Sequence, residues 1–109
     1  MSGTWTYIAQ RISAMIMAPL VILHLGVIVY AVRSGLTAEA ILDRTQGSLF
    51  WGLAYGLFVL AAAVHAATGV RVVISEVTRW RGRSLNLAVS TFGLVLLVLG
   101  GRAVAAVVL

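Results

Sequence analysis

The 109-residue chain has no cysteine, one proline and three acidic residues, and all eight of its basic residues are arginine. Without cysteine it brings no disulfide, no thiolate-held iron–sulfur cluster and no thiolate zinc site. The acids are Glu39, Asp43 and Glu76. They form no acid pair, and there is no nucleophile beside a base, no glycine loop for phosphate and no metal cluster of more than one histidine. Charged residues make up only 10% of the chain. The net charge of +5 comes from arginines that flank apolar spans instead of forming one patch, which argues for lipid headgroups and against nucleic acid.

What is present is hydrocarbon. Hydrophobic residues are 61% of the chain and the mean hydropathy is +1.06, more apolar surface than a soluble domain of this size could bury. Three apolar blocks, 8–32, 49–74 and 85–109, are each about 25 residues long, and about 20 suffice to cross the bilayer as a helix. The expected fold is an all-α membrane protein, one three-helix transmembrane domain over 1–109 and part of a larger helical bundle. A cleaved signal peptide is the rival for the first block, but that block has no basic leader, is too long and carries Arg11 and His24.

Arg11, Arg71, Arg79, Arg81 and Arg83 outweigh Arg33, Arg44 and Arg102, which Glu39 and Asp43 dilute. The positive-inside bias therefore expects a cytoplasmic N-terminus, in a bacterial inner membrane. In the first loop, Thr37 is positioned to cap a short surface helix. Pro19 is expected to kink the first helix. Gly52 and Gly56 have the spacing of a close helix contact, whereas Gly93, Gly100 and Gly101 suggest little beyond packing.

Two histidines lie well inside apolar spans. An ionisable side chain at that depth is costly and is usually retained for function, and imidazole is a common haem ligand. His65 shares a helical face with Gly69, four residues on, which leaves room for a flat macrocycle, and with Glu76, eleven residues on. Arg71, near the same interface, suits an anionic group such as a haem propionate. The alternative is that His65 hydrogen-bonds a neighbouring helix and Arg71 anchors to headgroups. If Arg11 and Arg71 mark one interface, His24 lies ~20 Å below it and His65 ~9 Å. Two axial ligands of one iron cannot differ in depth by ~10 Å, so if both histidines bind haem they serve two haems, each completed by another chain.

Two motifs carry a family resemblance. Gln10-Arg11-Ile12-Ser13-Ala14 and His65-Ala66-Ala67-Thr68-Gly69-Val70-Arg71, with Glu76 following, resemble those of membrane-anchor subunits of succinate dehydrogenase and fumarate reductase. The resemblance implies a second membrane-anchor subunit, an iron–sulfur subunit and a flavoprotein as partners, with quinone as substrate in the lipid. It implies haem b bound by His65, a second haem b at His24, and a quinone pocket near Arg11 and Ser13. Gln10 stands where the family commonly has histidine, Glu76 where it has aspartate, and Val77 where one anchor type has tyrosine. Rival readings are a haem-free quinone-binding anchor, and a small transport or assembly subunit using the histidines for proton movement. The second lacks a carboxylate at mid-membrane.

Overall fold

The computed structural model describes residues 3–109, in which four helices and no strand are found: α1 (Gly3–Ser34), α2 (Ala38–Thr45), α3 (Leu49–Val77) and α4 (Arg83–Val108). The three long helices are apolar and long enough to cross a membrane. They outrun the hydropathy blocks: α1 starts at Gly3 instead of Ile8, and α3 continues past Ile74 to Val77. Hydropathy marks where a chain lies in hydrocarbon, whereas backbone bonding decides where a helix starts and stops. α1 is continuous through Pro19.

The molecule measures 49 × 23 × 22 Å. α3 is the central element, packing against α1 on one side and α4 on the other, while α2 lies across the end of α4. Of the Gly52–Gly56 pair, the α3–α4 seam uses Gly52 alone. A Cβ on Gly52 would meet Val108 Cγ1 at 3.2 Å, and one on Gly56 would meet nothing. The closer approaches come from α4. A Cβ on Gly93 would lie 3.1 Å from Ala67 Cβ, and one on Gly100 only 2.5 Å from Val59 Cγ1. Small residues on α4 thus let α3 come near, as helices packed by dispersion in lipid require.

The interior is thin. Its fully or nearly buried apolar residues are Ala31, Ala61, Ala63, Leu85 and Val89. The accessible surface is 7347 Å², against the about 5,800 Å² expected of a soluble globule of this mass. Large side chains such as Ile22, Leu53 and Leu94 point outward, as suits a lipid-facing or partner-facing bundle.

Capping fixes the ends. The Thr37 hydroxyl accepts from the Ala40 N–H at 3.1 Å, which confirms the expected cap of α2. At the other end of α2, Thr45 Oγ1 donates to the Val107 carbonyl (2.6 Å) and the Gly47 N–H to the Val108 carbonyl (2.7 Å). These bonds satisfy carbonyls that the last turn of α4 leaves without helical donors. Gly47 makes its bond with φ +73°, a conformation that a side chain would oppose. At the opposite end of the bundle, Arg71 Nε donates to Asn86 Oδ1 (2.7 Å), tying α3 to the first turn of α4.

Candidate functional site

The α1–α3 register is set by polar contacts near their arginine-rich end. Ser13, only 4% exposed, places its Oγ 3.1 Å from the Gln10 carbonyl as donor and 3.3 Å from His65 Nδ1. With the hydroxyl proton assigned to the Gln10 carbonyl, the oxygen faces Nδ1 with a lone pair. The consistent assignment is an imidazole protonated at Nδ1, which leaves Nε2 as a free electron pair. That is the arrangement a metal-binding histidine needs, with its outer nitrogen held and its inner one unoccupied.

Gln10 makes the next contact along. Its side-chain oxygen accepts from Thr68 Oγ1, and its Nε2 lies 3.1 Å from where a Gly69 Cβ would be. The space expected over Gly69 is therefore partly taken by Gln10. What remains is a cavity of about 480 Å³ beside His65, walled by Gly69, Gln10, Ala66 and valines. Arg71 is not on this face. Six residues separate it from His65, about 120° round the helix, and it turns to Asn86 instead. Arg11 is exposed at the end of the bundle, where Nη1 donates to Tyr7 Oη at 3.3 Å and the guanidinium lies 5.7 Å from the Tyr7 ring centre.

His24 is far from this cluster. With Ser13 level with His65 and Gln10 level with Thr68, His24 lies eleven residues further along α1, ~16 Å away. The ~10 Å from sequence was short because Arg11 and Arg71 are not level. The register sets Arg11 beside Ala67 and Thr68, about one turn deeper along α3. The conclusion that one iron cannot join both histidines is strengthened. The His24 ring meets Tyr55 edge-on at 6.1 Å and Phe58 at 5.3 Å, and it borders a second cavity of about 440 Å³ among α1, α2, α3 and α4.

Sequence reasoning did not single out Tyr55, Phe58, Asn86 or the clamp formed by Gln10 and Thr68. An aromatic pair three residues apart in an apolar run has the same periodicity whether it faces lipid or a cavity. Only the register distinguishes the two. Among the described residues no group of three or more histidine, cysteine or carboxylate side chains could hold a metal by itself.

Three membrane-length helices, a thin interior and two imidazoles at separate levels define a multi-pass membrane protein built to be completed by other subunits. The sequence model of the succinate dehydrogenase/fumarate reductase transmembrane subunit matches residues 1–108, and the chain belongs to this family. Neither a curated protein nor a solved structure matches it.

Proposed function

We propose that this chain is a haem b-binding anchor of a succinate:quinone oxidoreductase, holding the iron–sulfur and flavoprotein subunits to the membrane together with a second anchor. The observation that carries the reading is the Ser13–His65 contact beside an apolar cavity, since it orients the imidazole and, in the tautomer protonated at Nδ1, leaves Nε2 free. A haem bound there supplies one-electron chemistry between the soluble subunits and membrane quinone. His65 on α3 would hold one haem, and His24 on α1 would hold a second. The second anchor would supply a further ligand to each.

The residues around these positions have separate tasks. Ser13 fixes the His65 tautomer, and Gly69 with the apolar wall excludes water. Arg11 supplies positive charge near the propionates of the haem at His65 and near the quinone pocket that Ser13 borders. Arg71, expected at the same anionic edge, is turned off the His65 face and held by Asn86, where it ties α3 to α4. The arginine-rich end, carrying Arg79, Arg81 and Arg83, faces the cytoplasm of a bacterium and meets the iron–sulfur subunit.

The test is a reduced-minus-oxidised spectrum and a haem-to-protein ratio on the purified complex. Two low-spin haems are expected in the native complex, with one lost in His65→Ala and the other in His24→Ala. Unchanged haem content in both variants would refute the assignment. A haem-free quinone anchor is the second reading, favoured by the Gln10 side chain standing over Gly69. It expects no haem band at all.

A further inference from the structure

Along α1, Thr6, Ser13, His24 and Ala31 lie on one stripe, within about 20° of each other at 100° per residue. Thr6, Ser13 and Ala31 are buried, whereas His24 is exposed. The face that α1 turns to its neighbours is thus closed above and below His24 and open at it. The opening is the cavity of about 440 Å³, whose walls are almost entirely aliphatic or aromatic. Its end is roofed by α2, which Thr45 and Gly47 fasten to the Val107 and Val108 carbonyls. That fastening brings Arg44 to the cavity wall, its guanidinium 5.2 Å from the Tyr30 ring centre.

An apolar slot lined by one imidazole and one guanidinium has a definite ligand chemistry. It suits a broad apolar molecule with a metal-binding demand at its centre and anionic groups at one edge. We infer that Arg44 is the counter-charge for the carboxylates of the haem held at His24, with α2 acting as the element that positions it. This rests on the proposal that His24 binds a second haem, and goes beyond it by giving α2 a role and the outer haem an orientation, carboxylates toward α2.

The test is an optical redox titration of the intact purified complex in four forms: native, His24→Ala, Arg44→Gln and Arg44→Lys. The component missing from H24A identifies the outer haem. Removing a nearby cation favours the oxidised, more positive form. R44Q should therefore lower the reduction constant of that component about tenfold, ~59 mV for one electron, and leave the other component unchanged. R44K, which keeps the charge without the planar fork, should fall between native and R44Q. Infrared redox-difference spectra should show a carboxylate band displaced in R44Q, a signature that a purely structural role for α2 would not produce. If H24A retains both components, the second-haem reading and this inference fall together. If H24A loses one component and R44Q leaves its potential and its carboxylate band as in the native complex, the inference alone is overturned.

Discussion

Replacing Ser13 with alanine removes the one hydroxyl that holds His65, and its effect can be worked from the geometry. The Oγ–Nδ1 separation of 3.3 Å is beyond the usual range, so the direct bond is at the weak end, about 0.5–1 kcal/mol. The larger effect is on the imidazole. With its Nδ1–H unpartnered beside a buried helix contact, the ring loses its fixed tautomer and orientation, and loss of such an outer-shell partner lowers metal affinity about 10–100-fold. Given the long bond, we expect the low end, about tenfold, or ~1.4 kcal/mol. Alanine fills the same buried position with less volume, so α1–α3 packing should survive. The assay is haem retention at His65 during washing with a haem-scavenging apoprotein, followed by the absorbance of that component. S13A should lose it about tenfold faster than the native complex, with the His24 component unaffected. Equal retention of both components would refute the argument that Ser13 orients His65.

Gly100→Ala should destabilise the α3–α4 seam by about 1–3 kcal/mol, because its Cβ would enter the space of Val59 Cγ1. Val59→Ala in the same chain should recover most of that loss, as read by thermal denaturation in detergent. Gln10→Ala should release Thr68 and widen the cavity beside Gly69. The expected readout is a changed His65-haem spectrum with unchanged haem stoichiometry, and an identical spectrum would contradict the role given to Gln10. Asn86→Ala leaves Arg71 Nε without its acceptor and should cost about 1–3 kcal/mol, measured by the same melt.

The three spans were legible because hydropathy and length suffice for them, and so was α2, whose Thr37 cap is a local signal. His65 and His24 stood out because polar groups are scarce at that depth. What escaped was anything that depends on how helices slide past one another. The arginines gave a false common level, since a long side chain can reach an interface from more than one turn. The true register rests on Ser13 meeting His65 and Gln10 meeting Thr68, contacts between residues more than fifty positions apart. The Gly52–Gly56 spacing was half used, by Gly52 against Val108 and not by Gly56, for a related reason. A small residue permits close approach, but which neighbour exploits it is decided by the neighbour's shape. Here Gly93 and Gly100 receive Ala67 and Val59.

The sparse interior has a consequence for biogenesis. Outward-facing leucine and isoleucine are no liability in lipid, because acyl chains are as apolar as they are, so grease alone gives a newly inserted copy no reason to seek companions. Recognition must come instead from concave, unfilled places along the bundle and from the few polar tips that border them. A copy made in excess would persist as an inserted but incomplete unit, and the number of finished complexes would track the scarcest component rather than the supply of this one.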